Sequence, residues 1–405
     1  MIYLISHRSI QFFVLIILAC SAQAFAQSTR NVQPVALKFE TRTPIDGSKD
    51  WDWWQARTAF VPGKSPFLIT TMSETGRSGT HNFHDIYQST SSDAGRTWSK
   101  PAPILSLKRT LQADGYEVAP GDLWPTWHAR TGKVLVTGKT FNFENGKNEN
   151  RLREKVSYSV MDPASEKWGP LRFLTLPEND HSGKPIVAVN AGCTQRVDLP
   201  NGDILLPVRY WRDAKKHNYT SIVARCSFDG ESLTYKEHGT EHTLPAGRGL
   251  YEPSLAEFEG EFFLTLRADK SACVTHGKDG LNFQPTREWR FDDGKPLGSY
   301  NTQQHWVTIG GGLFLVYTRR GADNDHIMRH RAPLFIGQVN PETLQIIRST
   351  ERILIPENHA TLGNSGVCRV SDTETWITCG EGLLRLGKRK EQTNKVHFVR
   401  ITSGG

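Results

Sequence analysis

Short apolar, β-rich runs ending at glycine turns organise this chain, and no long amphipathic helix pattern competes with them. Runs such as Ile204-Leu205-Leu206-Pro207-Val208 and Phe262-Phe263-Leu264-Thr265-Leu266 read as buried strands. In four places an apolar segment reaches a glycine turn, a β-rich segment follows, and a basic residue stands seven positions after the glycine. These are Gly132 to Lys139, Gly202 to Arg209, Gly260 to Arg267 and Gly312 to Arg319. Each unit predicts a hairpin of two inner strands. Two further hairpins have the same outline, Ala56 to Glu74 around Pro62-Gly63-Lys64-Ser65-Pro66 and Gly363 to Glu381 around Ser371-Asp372-Thr373-Glu374. Six such units predict an all-β, six-bladed propeller. In an antiparallel hairpin the start of the first strand and the end of the second lie at one end, so the basic residues converge on one mouth.

A second repeat supports the count. Ser91-Ser92-Asp93-Ala94-Gly95-Arg96-Thr97-Trp98 fits Ser-x-Asp-x-Gly-x-x-Trp, the Asp-box. Its logic is that of a tight turn: the Asp accepts backbone N–H bonds, the Gly allows positive φ and the Trp covers the hairpin. Weaker copies lie at Ser227-Phe228-Asp229-Gly230, at Lys278-Asp279-Gly280 and at Asp162-Pro163 leading to Trp168.

Composition agrees: 405 residues with 11 Trp, 19 Phe, 35 Gly and 21 Pro suit one large all-β domain rich in turns. At the N-terminus, His7 and Arg8 precede the apolar run Phe12 to Ala19, and Ala24-Phe25-Ala26 offers a small-x-small cleavage site. A signal peptide over 1–26 is expected, with a single propeller domain over 27–405 and a periplasmic or secreted location. Ile17-Leu18-Ala19-Cys20 loosely resembles a lipobox, so lipoprotein anchoring is the competing reading. Neither reading leaves an integral membrane segment in the mature chain. Among the five remaining cysteines, Cys368 and Cys379 fall on the two strands of one predicted hairpin and either pair or stay as buried thiols. No cysteine or histidine spacing is of the zinc type, and no cofactor is expected. The net charge of +7 is mild, and without a basic helix or RNA-binding motif it excludes a nucleic-acid partner. A monomer is expected. A ring of cations at one mouth points instead to a carboxylate or sulfate ligand, for which Arg offers a bidentate fork.

Over nearly all of the mature chain, these features resemble the exo-alpha-sialidase superfamily. The resemblance implies a glycosidase acting on an acidic glycan that contains sialic acid or uronate. Arg57, in Ala56-Arg57-Thr58-Ala59-Phe60-Val61-Pro62, matches the first carboxylate-binding arginine, and Asp85, in His84-Asp85-Ile86-Tyr87, the general acid. Tyr251-Glu252-Pro253-Ser254-Leu255 through Leu266-Arg267 matches the hairpin of the family's glutamate and second arginine. Arg331 or Arg329, in Arg329-His330-Arg331-Ala332-Pro333-Leu334, would supply the third. Lys139, Arg209, Arg319 and His305 would add polar contacts. The family's tyrosine nucleophile is missing: the segment opening the last unit reads Leu362-Gly363-Asn364-Ser365-Gly366, and no tyrosine follows Tyr317. Tyr251, beside Glu252, is the substitute, although consecutive strand residues point to opposite faces. Otherwise Glu252 activates water.

Two other chemistries stay open. His84, His128 and His305, with Tyr251 and Tyr300, suit β-elimination at a uronate, in which arginine neutralises the carboxylate and His or Tyr removes the C5 proton. A noncatalytic glycan-binding propeller would use the abundant Trp to stack on sugar faces.

Overall fold

The computed structural model describes residues 32–76, 82–146, 150–383 and 392–404. The segment 1–26 and its Cys20 lie outside them. Among the described residues no helix is long and apolar enough to cross a membrane.

From Val32 onward the chain forms one compact unit built of six sheets, the six blades of a propeller, antiparallel except for one short parallel pair, Arg290–Phe291 with Gln345–Ile346, at the edge of blade five. Blade one runs outward through Trp51–Val61, Phe67–Gly76 and Phe83–Ser91, and blade two through Glu117–His128, Lys133–Phe143 and Val156–Asp162. Blade three has an interrupted innermost strand, Val187–Asn190 and Val197–Asp198, followed by Ile204–Trp211 and Tyr219–Phe228. Blade four contains Tyr251–Phe258, Glu261–Arg267 and Cys273–Gly277, and blade five His305–Ile309, Gly312–Tyr317 and Leu334–Asn340. Blade six consists of Ser365–Arg369, Glu374–Gly380 and Lys395–Ser403, closed on its outer edge by Leu37–Asp46 from the start of the domain. That closing strand pairs Leu37 with Ser403 and Asp46 with Lys395, so the first and last strands of the described domain share one sheet and the outer edge of Lys395–Ser403 is covered. Inner strands of neighbouring blades pack on one another, blade three meeting blade two through Lys133–Phe143, and the first strand of blade six packs on that of blade one, which closes the ring.

The six inner hairpins are those the hydrophobic pattern predicts, with one shift. In blade five the turn is made by Gly310 and Gly311, whose φ values are 59° and 73°, and Gly312 opens the second strand. The Asp-box turn follows the third strand of blade one. Asp93 accepts hydrogen bonds from the Thr97 backbone N–H at 2.9 Å and the Ser91 hydroxyl at 2.9 Å. Asp162, Asp229 and Asp279 accept turn N–H bonds at the corresponding ends of blades two to four. Asn340 does the same in blade five, a copy hidden by its different side chain.

Trp98 carries the Asp-box across to the neighbouring blade, its ring centroid 4.2 Å from that of Phe398. Gly95 sits beneath with φ 74°, and a β-carbon there would come within 2.3 Å of the Trp376 ring. Gly95→Ala is therefore expected to cost about 2 kcal/mol through backbone strain and displacement of Trp376. Equilibrium urea unfolding measures this, and an unchanged midpoint would remove the packing role of the turn.

The cysteine alternative resolves to free thiols. All five described cysteines are unpaired. Strand register sets Cys368 opposite Trp376 and Cys379 opposite Ser365, so the two sulfurs are never across from each other.

Candidate active site at the mouth of the propeller

Four innermost strands carry the same irregularity near the mouth. Register shifts fall between Trp54 and Arg57, Gly121 and Trp124, Val187 and Asn190, and Tyr251 and Ser254. Within them Gln55, Asp122, Ala188 and Glu252 take φ values of 54°, 55°, 52° and 46°. A bulge re-aims a side chain that strict alternation would send into the sheet. Gln55, Asp122 and Glu252 thereby line a cleft of about 190 Å³ at the mouth. The same bulge lets Tyr251 and Glu252 both face it, against the alternation expected for neighbouring strand residues.

Seven basic side chains line the cleft against two carboxylates, Asp122 and Glu252. Glu252 is buried, and Arg267 donates to one of its oxygens while Arg209 stands 3.4 Å from the other. Burial alone would raise its pKa, but Arg267 and Arg209 outweigh this and hold the carboxyl down at about 2. Lys139 donates to buried Glu154 at 2.9 Å; its own burial opposes the charge, and Glu154 prevails.

Asn301 ties the cations together. Its side-chain oxygen accepts from Arg248 and Arg267, each at 2.6 Å, and its backbone carbonyl accepts from Arg331 at 2.8 Å. Arg331 is disfavoured as a cation by burial and then by Arg267 and Arg329, which pull its pKa down to about 9. A guanidinium stays protonated in proteins, so this crowding is relieved by an incoming anion. The Arg331 Nε has no partner among the described residues, as have the Nε atoms of Arg209 and Arg267.

Tyr251 does not pair with Glu252. Its hydroxyl donates to Asp269 at 2.6 Å, and the guanidinium carbons of Arg248 and Arg267 each lie 4.7 Å from its ring centroid. Burial pushes the phenol up to about 12. Asn364 holds the place on blade six where the resemblance expects a tyrosine, accepting from Gln303 at 2.9 Å. The tyrosines at the cleft are Tyr219 and Tyr251.

Of the residues named from sequence, the fold brings Lys139, Arg209, Tyr251, Glu252, Arg267 and Arg331 to the cleft, and Arg329 beside Arg331. Four others, contrary to expectation, are not among the residues lining the cleft. Arg57 is fully buried in the ring, donating to the Ser365 and Leu123 carbonyls and to Gln303 at 3.0 Å, because its strand resumes regular pairing after the bulge and turns it inward. Asp85 lies on the third strand of its blade, outward from the mouth, and accepts the Arg109 backbone N–H at 3.0 Å. Arg319 follows the end of its strand and folds onto Phe335 in a bidentate pair with Glu351, 2.8 Å on each arm. His305 is fully buried between Ser254 and Gln303, and burial drives its pKa well below the usual histidine range.

The other histidines are equally placed away from the cleft. His128 caps its own hairpin turn through Thr131 and the Gly202 carbonyl, and His84 accompanies Asp85 on the outer strand. Tyr300 bonds His330 at 2.6 Å, also outside the cleft lining. Sequence reasoning passed over Gln55, Asp122, Arg248, Asp269 and Asn301. The first two left no local signal: each stands inside its first strand where regular pairing breaks, as Glu252 does.

Fold and cleft together define a six-bladed propeller with a cationic mouth. No family model and no curated protein matches the sequence. Among solved structures, the chain is similar to a protein of unknown function from Dyadobacter fermentans, at 13% identity and TM-score 0.62, covering 90% of this chain and 99% of that one. It is also similar to Trypanosoma rangeli sialidase in complex with sialic acid, at 14% identity and TM-score 0.60, covering 90% of this chain and 59% of that one. A Hadza microbial sialidase matches at 14% identity and TM-score 0.56 over 85% of this chain and 65% of that one. At these identities the likeness is one of fold.

Proposed function

We propose that the cleft binds the carboxylate of a terminal acidic sugar, sialic acid or a uronate, and that the protein is a sialidase-like glycoside hydrolase of exported location. The observation that carries this reading is the cluster of buried guanidiniums, Arg209, Arg267 and Arg331, around one carboxylate, Glu252, with unpaired Nε donors remaining. Such a cluster favours a planar anion that accepts from two guanidiniums at once. Asp122 is the other carboxylate of the cleft and takes the acid/base role, Asp85 not being among the lining residues. With Asn364 on blade six and the Tyr251 hydroxyl held by Asp269, water is the better nucleophile, Glu252 its partner.

A noncatalytic binding propeller is the second reading, favoured by the same Asn364 and by the low proton affinity of Glu252. Elimination has lost its histidines, none of which lines the cleft, and keeps only tyrosine as a base.

Incubation of the mature protein with sialosides and uronate glycans separates the readings. Free acidic sugar detected by mass supports hydrolysis, an unsaturated uronate chromophore supports elimination, and saturable binding without product supports the binding module. Arg331→Met is expected to weaken affinity for the acidic sugar by about tenfold to a hundredfold, the worth of one lost charge-assisted pair. Calorimetric titration checks this, and affinity equal to that of the unaltered protein would move the carboxylate elsewhere.

A further inference from the structure

The rim of the mouth between blades five and six holds a second cluster that carboxylate binding does not use. His326 lies on the segment that carries Arg329 and Arg331, and Glu357 and His359 on the segment leading to Asn364. The His326 Nε2 is 3.4 Å from one oxygen of Glu357, and the His359 Nδ1 is 3.5 Å from the other. One ligand atom from each of the three lies within 4.8 Å of the others.

The two imidazoles are inclined at 62° with centroids 5.5 Å apart, so they do not stack face to face beside the carboxylate. His359 reaches this position with φ 75°, a left-handed conformation uncommon for a residue other than glycine. All three side chains are part-exposed, at 47%, 23% and 48%, which leaves open positions for water or a further ligand.

The other His-His-carboxylate group behaves differently. His181 and His238 stack nearly parallel, inclined at 9° with centroids 4.0 Å apart, so their in-plane lone pairs cannot meet. Both oxygens of Glu241 are engaged there, by Arg212 and by the His181 backbone N–H, whereas Glu357 accepts the His359 backbone N–H on one oxygen and meets no arginine or lysine among the described residues.

We propose that His326, Glu357 and His359 bind a divalent transition-metal ion of the zinc, nickel or copper type. Two neutral imidazoles and one carboxylate form a donor set suited to those ions and poorly suited to calcium or magnesium, which prefer all-oxygen shells. The ion would join the arginine-bearing segment to the segment before blade six, fixing two walls of the mouth without touching Glu252.

The test uses tag-free mature protein stripped with chelator and titrated with zinc chloride by calorimetry. One saturable equivalent is expected. His326→Ala and His359→Asn should each weaken it by at least about tenfold, the lower end of the effect even of outer-shell partners. Asn is chosen at position 359 because it tolerates the left-handed backbone. His181→Ala should leave it unchanged. Zinc should also slow amide hydrogen exchange in 324–331 and 357–364 in the unaltered protein and not in the two variants. The part-exposed imidazoles can be removed without disturbing the core, so loss of binding in a protein with unchanged thermal unfolding supports the site. Absence of saturable binding, binding indifferent to both variants, or binding abolished by His181→Ala would each overturn it.

Discussion

Glu252→Gln is expected to destabilise the protein by about 3–5 kcal/mol and to cut turnover of any glycan the cleft processes by at least about a hundredfold. The charge of Glu252 is the near neighbour that neutralises Arg267 and Arg209, all three side chains being buried. Glutamine keeps the volume and one acceptor but leaves two guanidiniums uncompensated in a desolvated site, which is the costly half of a broken buried pair. An anion in the cleft would restore the balance. Acidic sugar should therefore raise the thermal midpoint of the variant more than that of the unaltered protein, through binding to the folded state.

The acid limb of stability carries the same signature. The folded carboxyl titrates at about 2 against an ordinary value of 4.5, so its contribution, about 3 kcal/mol, is present above pH 4.5 and lost as pH falls toward 2. In Glu252→Gln this part of the acid decline should disappear, while Asp180 and Asp269, also held at about 2, keep theirs. Denaturant melts across that range measure it. A variant as stable and as active as the unaltered protein would remove Glu252 from both roles.

Arg57→Met is expected to lose a similar amount, about 3–5 kcal/mol, for a different reason. The guanidinium joins blade one to the Leu123 carbonyl of blade two, Gln303 beside blade five and the Ser365 carbonyl of blade six, with Trp124 5.0 Å from its charge centre. Methionine fills much of the space but takes this donor from the buried Leu123 and Ser365 carbonyls, at about 1–3 kcal/mol each before relaxation, while Gln303 keeps His305 as a partner. The discriminating measurement is affinity for an acidic sugar at a temperature where the variant is folded. It should be unchanged, whereas Arg331→Met should weaken it with little loss of stability. Reduced affinity in a stable Arg57→Met protein would return Arg57 to the substrate site.

Much of the fold was legible because propeller blades are local. A hairpin needs only a turn and two apolar runs of adjacent sequence, and the turns announce themselves through Gly, Asp and Asn. Gly132, Gly202 and Gly260 marked their hairpins correctly, each with positive φ. The shift at Gly312 arose because three consecutive glycines offer more than one register for the same turn. The blade-five copy of the Asp turn escaped because Asn340 performs it with an amide.

The site was legible only in part, and the failures share a cause. A basic residue seven positions past a turn reaches the mouth when its strand persists that far, as at Lys139, Arg209 and Arg267, and misses it when the strand stops, as at Arg319. Asp85 was placed by its position just before the Asp-box, and position along the chain does not decide whether a side chain faces the cleft.

By itself, then, the order of residues determined the six hairpins, the class of fold and the cationic character of one mouth, because each depends on contacts within about twenty residues. Tertiary structure alone decided which guanidinium is cleft-facing and which is a buried strut, that Tyr251 answers to Asp269 rather than Glu252, that Asp122 lines the cleft and that Asn301 links its cations. Those outcomes depend on bulges that rotate single side chains and on contacts between blades far apart in the chain. Neither leaves a local pattern, since register and packing across the ring are set by the closed assembly as a whole.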